Sequence, residues 1–483
     1  MTQPVGDLGV VDHTGRSTIS VALEVPVRSR ADVVVVGAGP AGIAAAVASA
    51  RQGASTVLVE RFGSVGGNLT AGLVGPCMTS YSLDGSQQLI TGVFDELITR
   101  MAGQGLALHP SQVPAGSPYS GFISYGHDKV TPFDPEGIKL VAAEMLLEAG
   151  VELLLHTTFL RPLLDGDRIA GVMVASKSGI EAIEADVVVD CSADADVAAA
   201  AGVKTEYGRE SDGLTQPMTL FFRVGQVDDE VVERYVAEHP EDIRPFASLV
   251  DRAREAGEFT VPRRGIGLYK TLEDGVWRIN TTRILGRNGT DVGDLTAAEV
   301  EGRRQVTELM RFFRGWLPGF ERAILIDTAA TIGVRETRRI VGAYTLTLDD
   351  LSSGTAFDDV IALCGYPVDI HSPTDAGGGV AENIPTANAY QIPYRSLLPV
   401  GCEQLLVAGR SVSATHEALG AIRVMPPAFA MGQAAGTAAA MAADGGGLVR
   451  DVDIAALQQN LLTAGAYLGP DRQSADDGPG ARS

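Results

Sequence analysis

The chain has 483 residues, of which 45% are hydrophobic and 57 are glycine, and it carries a net charge of −22. That length exceeds one simple core, so two domains, or one core with a large insertion, is the expectation. The acidic surface repels phosphate backbones and anionic bilayers, which argues against nucleic acid and membrane partners.

Residues 1–30 read as a loose arm that becomes apolar at Ile19-Ser20-Val21-Ala22-Leu23, with no basic-then-apolar secretory pattern. Val33-Val34-Val35-Val36 then predicts a buried parallel strand. Gly37-Ala38-Gly39-Pro40-Ala41-Gly42 turns the chain into an alanine-rich helix over Ile43 to Gln52, and a second strand, Thr56 to Val59, ends on Glu60. This is the dinucleotide-binding pattern in its strand–turn–helix–strand setting. Gly37 serves the tight turn, Gly39 leaves room for a pyrophosphate, and Gly42 lets the helix approach the strand. Glu60 stands where an acid accepts hydrogen bonds from ribose hydroxyls, with Arg61 beside it. The helix N-terminus offers free N–H groups to the phosphates.

Gly63 to Thr70 is rich in small residues, and Gly66-Gly67-Asn68 permits a close backbone approach to a cofactor. A strand-and-glycine style then returns twice. The first return runs from Val151 to Asp190 and includes a hairpin turned at Asp165-Gly166; it leads into Cys191-Ser192-Ala193-Asp194-Ala195-Asp196 and an alanine-rich helix. Asp194 and Asp196 are read as framework acids, one of them a helix cap and either a candidate, Asp194 first, for binding the cofactor's ribose or diphosphate through water. The second return is Leu405 to Arg410, followed by a long helix opened by Pro426-Pro427 and running to about Ala443.

Residues 205–390 hold both tryptophans, an alternating segment from Thr219 to Val224 and a helical run from Ala297 to Trp316. They read as an inserted substrate-covering domain, with 325–345 returning toward the nucleotide domain. The fold class is therefore α/β: a discontinuous Rossmann-like nucleotide domain with an inserted α+β cap. Its boundaries are an arm at 1–30, first parts at 31–204 with a small cap-side insertion at about 100–135, the cap at 205–390, a last part at 391–450, and a C-terminal helix and disordered tail at 451–483. The cap's apolar residues would also serve a homodimer face.

A strand ending in Ala408-Gly409-Arg410, with a later helix start at Val424-Met425-Pro426, is where a flavoprotein aims a helix dipole at a reduced ring. With Gly37 to Gly42, Glu60, Gly66-Gly67-Asn68, Asp190 to Asp196, Gly333 to Gly342 and Ser413 to Pro426, the chain resembles the FAD-dependent oxidoreductase family of the glutathione-reductase and succinate-dehydrogenase-like fold, over about residues 31–445. The resemblance implies bound FAD, a substrate domain over the flavin, and hydride transfer to or from flavin N5. It names no substrate; the leading reading is a dehydrogenase or oxidase acting on a polar small molecule. A second nucleotide motif and a redox CxxxxC pair are both missing, so the disulfide-reductase branch does not fit, and O2 or a carrier protein becomes the expected electron acceptor. Ser64 and Val65 stand where succinate-dehydrogenase relatives carry a flavin-linked histidine, which argues for a noncovalent cofactor. A monooxygenase or reductase using NAD(P)H is the alternative, and an FAD-bearing subunit of an electron-transfer complex a further one.

Oxidation of a C–H bond by flavin needs a base for the accompanying proton. His371, in a proline-rich loop, and His416, just after the C-terminal strand, are the main candidates; His127 is a third, whereas His109, His156 and His239 read as surface or packing residues. Arg335 and Arg423 are candidates for holding a carboxylate or the reduced flavin's charge, and Arg283 for selecting an acidic substrate. The cysteines, Cys77, Cys191, Cys364 and Cys402, are scattered and form no CxxC pair. Iron–sulfur and zinc sites are not expected, and a reduced cytoplasmic setting is. Cys77 reads as a buried small residue before a reactive thiol.

Overall fold

A computed structural model describes residues 22–242, 244–374, 378–380 and 384–473. The first strand, β1 (Val27–Val36), starts inside the segment read as the arm, and its valines 33–35 are fully buried. Residues 19–21 of the apolar stretch Ile19 to Leu23 lie outside the described residues. Pro40 fixes φ at the first turn of α1 (Pro40–Arg51), with Gly39 as the N-cap. Strand β2 (Thr56–Val59) pairs parallel with β1.

Next come α2 (Val93–Gly103) and α3 (Pro135–Glu148), capped by Asp134, and then β3 (Glu152–Leu154). Strands β4 (Thr158–Asp165) and β5 (Arg168–Ser176) form the expected hairpin, with Gly166 at φ +61° in the turn. Strand β6 (Gly179–Asp190) is long enough to serve three neighbours: β1 along its length, β5 on its first half, and a late strand on its second.

The cap follows α4 (Asp196–Ala200) and β7 (Thr205–Tyr207). It contains β8 (Phe222–Gly225), α5 (Asp229–Glu238), α6 (Ala247–Glu255), β9 (Leu268–Lys270), β10 (Trp277–Ile279), α7 (Val292–Trp316) and β11 (Ile324–Thr328). Its antiparallel sheet has the order β11-β8-β10-β9 and a separate core around Trp277, Phe222 and Phe313. Strand β12 (Arg338–Ile340) pairs with β7, so the two crossings between domains lie side by side.

Among the described residues, the buried core of the cap ends at Ile332, well before the boundary at 390, with Val334 packed against it, whereas α8 (Leu348–Ser353), β13 (Val360–Cys364), β14 (Asp369–His371), β15 (Gly378–Val380) and β16 (Tyr390–Pro393) follow the crossing. Leu351, Val360, Ile361, Tyr366, Val368 and Ile392 join the same core as α1 and β1. Strand β13 is buried on both faces, and β14 and β16, of three and four residues, are too short to show an alternation that would mark the change of domain.

The last pieces are β17 (Leu405–Val407), which completes the main sheet in the order β3-β2-β1-β6-β5-β4 by pairing with β6, then α9 (His416–Ile422), α10 (Met425–Gly445), α11 (Ile454–Thr463) and α12 (Pro470–Gln473). Residues 470–473 are thus helical, and the rest of the predicted disordered tail, 474–483, lies outside the described residues.

Helix α10 crosses α1 at backbone contact. A Cβ at Gly432 would lie 2.1 Å from the Ala41 carbonyl oxygen, and one at Gly436 would lie 2.0 Å from that of Ala45. Gly436→Val is therefore expected to push the helices apart and cost about 1–3 kcal/mol or more, read as a lower denaturant midpoint; an unchanged midpoint would show that the crossing tolerates a side chain.

Candidate active site

The glycine turn does three distinct jobs. Gly37 has φ +97°, and a Cβ there would meet the Cys191 carbonyl oxygen at 2.5 Å, at the end of β6. At Gly42 a Cβ would sit 1.7 Å from the Gly37 carbonyl oxygen, so only glycine lets α1 start this close to the strand. A Cβ at Gly39 would meet nothing within 4 Å: its small size leaves open space. Gly66 and Gly67, with φ +109° and +51°, fold over that opening, and a Cβ on Gly67 would come 3.0 Å from the Gly39 Cα. The Gly66 N–H donates to the Ala38 carbonyl at 2.7 Å. Glu60 is buried and accepts from the Ala38 N–H at 2.8 Å and the Phe62 N–H at 2.9 Å, which fixes its carboxylate at the end of β2; burial raises its pKa against those bonds. An open cradle at a helix N-terminus with a fixed acid beside it fits a dinucleotide such as FAD. Arg61 lies over the Phe62 ring on the exposed side of this corner.

Asp194 locks three chain segments together. It accepts from Thr337 Oγ1 at 2.6 Å and pairs with Arg410, while its carbonyl accepts from Arg338 Nε at 2.7 Å. Neither Asp194 nor Asp196 caps α4 through its side chain. Asp190 takes the Ala198 N–H at 3.0 Å, and the Ser192 hydroxyl takes the Asp196 N–H at 2.9 Å. Gly409, at φ +94°, brings β17 past Ala41.

A cavity of about 670 Å³ opens between the domains, with Asn68, next to Gly67 of the cradle, in its lining. Its lining includes Asn68, Arg410, Val424 and Met425, with Pro426 directly behind in the first turn of α10. Arg335, Arg423, His371, His127 and Arg283 all line it as well. His127 arrives on the insertion near 100–135 and stacks on Tyr269 of the cap at 6.1 Å.

Strand β14 is the chemical centre of the cavity. Asp369 and His371 stand two residues apart and so share a face. His371 Nε2 lies 3.4 Å from Asp369 Oδ1, which favours the tautomer with hydrogen on Nε2, and Nδ1 is buried with no partner among the described residues. Tyr366 Oη donates to Asp369 Oδ2 at 3.1 Å and Arg423 Nη2 donates to the same oxygen at 3.1 Å. Burial opposes the Asp369 charge, but His371, Arg423 and Arg335 outweigh it and hold this carboxyl well below the usual range. Burial, then Arg335, pushes His371 down to about 3, and burial pushes His127 down to about 4. Both imidazoles are neutral near pH 7.

His416 does not reach this cavity. It starts α9 in a buried cluster, with Nδ1 2.8 Å from Glu336 Oε1, an oxygen that also accepts from Arg339 Nη1 at 2.6 Å. The candidate role of His416 as base or flavin contact gives way to a structural one. Glu336 also takes the Gln216 N–H at 3.1 Å, and Gln216 Oε1 accepts the His371 backbone N–H at 3.2 Å, so the cluster supports β14 from behind. Arg335 is not the partner of Glu336; it donates to Pro217 O at 2.5 Å and to Thr219 Oγ1 at 2.6 Å. Cys77 is buried, and burial pushes its thiol up to about 12, which makes it inert.

Sequence reasoning missed Asp369, Tyr366, Tyr269, Asn280 and the cap arginines other than Arg283. Eight arginines line the cavity (Arg244, Arg254, Arg263, Arg264, Arg283, Arg335, Arg410 and Arg423) against two carboxylates, Asp251 and Asp369. Arg254 pairs with Asp251 at 3.2 Å, Arg423 with Asp369, and Arg410 with Asp194. Arg244, Arg263, Arg264 and Arg335 have no carboxylate within ion-pair distance among the described residues. The spacing of Asp369 and His371 was a usable signal for the first pair; nothing in the spacing of the arginines marks them as neighbours.

The two buried histidines have a consequence for acid stability. Their folded pKa values lie below the ordinary 6.5, so the unfolded chain takes up protons first as pH falls. Stability is therefore lost progressively below about pH 6.5, down to the folded values. Replacing both by glutamine should flatten the fall in melting temperature between about pH 7 and pH 5; a slope parallel to the parent would mean that neither is buried neutral.

The parallel sheet, the glycine cradle and the cap-covered cavity define a two-domain nucleotide-binding flavoprotein. The profile of the family described as FAD dependent oxidoreductase matches residues 32–461. The chain belongs to that family: it is an FAD-dependent oxidoreductase, and its cofactor is FAD. Two curated relatives are from Methanopyrus kandleri. Digeranylgeranylglycerophospholipid reductase 2 is 30% identical over 37% of this chain and 39% of its own length, and digeranylgeranylglycerophospholipid reductase 1 is 29% identical over 38% and 43%. The match thus spans less than half the length of these relatives. Among solved structures, a geranylgeranyl bacteriochlorophyll reductase-like protein from Thermoplasma acidophilum has a TM-score of 0.43 at 14% identity, covering 91% of this chain and 84% of that one. L-proline dehydrogenase from P. horikoshii has a TM-score of 0.40 at 14% identity, covering 92% and 100%. Among the described residues, no helix is long and apolar enough to cross a membrane.

Proposed function

We propose that this oxidoreductase oxidises a polar small molecule, passing hydride to flavin N5 while His371 takes the proton. One observation carries the reading: His371 is a buried, neutral imidazole in the cavity lining whose Nδ1 has no partner among the described residues. Bound FAD supplies the two-electron acceptor. Asp369 orients the ring and Tyr366 and Arg423 hold Asp369, so the free Nδ1 lone pair is presented as a general base. Arg335 is the second group that depresses His371; pairing Arg335 with a substrate anion would weaken that effect and make His371 a better base when substrate is bound. O2 or a carrier protein would take the electrons afterwards, and the protein would work in the cytoplasm, alone or as a homodimer.

The second reading is a reductase or monooxygenase whose flavin is reduced by NAD(P)H. The names of the two curated relatives favour it. The lack of a second GxGxxG motif weighs against it. Anaerobic mixing decides between them. Rapid bleaching of the flavin by NADH or NADPH alone would establish the second reading. Bleaching by a member of a panel of hydroxy acids, amino acids and polyols, with the nicotinamides inert, is what the first predicts.

A further inference from the structure

The cavity carries more positive charge than its own carboxylates neutralise, in a protein whose net charge is −22. Arg335 spends its hydrogen bonds on neutral acceptors: Pro217 O, Thr219 Oγ1 and, at 3.3 Å, Asn280 Oδ1. Arg263, from the cap loop between α6 and β9, has Nη1 buried with no partner among the described residues. Arg254 donates to the Arg263 carbonyl and so fixes that loop. Burial and the neighbouring guanidinium groups pull both Arg263 and Arg335 below the ordinary arginine value. Cations drawn partly out of water without counter-charge are costly unless a partner arrives. The FAD pyrophosphate does not account for them, because its cradle is built from Gly37 to Gly42 and Gly66-Gly67, none of which line this cavity.

We infer that the substrate is an oxyanion-bearing molecule, its carboxylate or phosphate group held by Arg263 and Arg335 beside His371. The planar, forked donors of arginine match either group bidentately. This rests on reading the cavity as the substrate site of the oxidoreductase.

The test is titration of the purified holoprotein, and of the apo chain, with acetate, malonate and inorganic phosphate at constant ionic strength, with chloride as control. The readouts are the flavin difference spectrum and the melting temperature. A saturable response to malonate or acetate, or to phosphate, is expected, and which one saturates at lower concentration identifies the group. Arg263→Gln and Arg335→Gln should each weaken it about 10- to 100-fold. Arg263→Lys guards against misfolding of the glutamine variants and should retain part of the affinity. No saturable response beyond that of chloride, or affinities unchanged in folded Arg263→Gln and Arg335→Gln, would overturn the inference. Oxyanion binding that depends on both arginines would stand even if NADPH proved to reduce the flavin, and a neutral substrate oxidised without any oxyanion response would sink this inference alone.

Discussion

His371→Gln is expected to lower the rate of flavin reduction by substrate about 10²- to 10⁴-fold, the range for loss of a positioned proton acceptor, with FAD still bound and the fold intact. Glutamine keeps the size and a polar end in a position buried by β14 and the cap, but it cannot take the proton. The companion change Asp369→Asn should be milder. It retains the contact with His371 while removing the charge that Arg423 pairs with, so the ring's orientation becomes less certain without the base being lost. Pre-steady-state bleaching under anaerobic conditions reads both. A His371→Gln enzyme that reduces its flavin at the parent rate would remove His371 from the chemistry and leave an ordered water as the proton acceptor.

The second large effect separates two glycines three positions apart in sequence, Gly39 and Gly42. Gly39→Val places its side chain in open space at an ordinary φ of −74°, so the apo chain should melt within about 0.5 kcal/mol of the parent. The same side chain fills the cradle, so FAD affinity should fall on the order of 100-fold or more. Gly42→Ala should lose both, because its Cβ lies 1.7 Å from the Gly37 carbonyl and the turn must open. FAD titration by fluorescence quenching, with apo melting curves alongside, gives the two quantities separately. Equal destabilisation of the apo chain by both variants would mean that Gly39 serves packing and not the cofactor.

Much of the nucleotide domain was legible because its signals are local. A four-valine strand, glycines at fixed offsets and an acid at the end of the next strand are read within 30 residues; in the turn, a Cβ at Gly37 or Gly42 would clash with backbone, whereas one at Gly39 would stand in open space. The site was legible only in part. His371, Arg335 and Arg423 meet in the cavity, but the residues that give them meaning, Asp369 and Tyr366, sit on or beside a three-residue strand between prolines, too short to show a period. His416 misled for the opposite reason: its position after the last strand resembles a flavin-facing one, yet a buried glutamate 80 residues earlier claims its ring. The arginine cluster is assembled from segments spanning Arg244 to Arg423, and such convergence exists only after folding.

The most direct test of the account is the visible absorption spectrum of the purified chain, native and after denaturation. Flavin bands in the native protein, with all the colour released as FAD on denaturation, are the predicted result for a noncovalent cofactor in the glycine cradle. A colourless protein that FAD cannot reconstitute, or colour that stays with the precipitated chain, would contradict it.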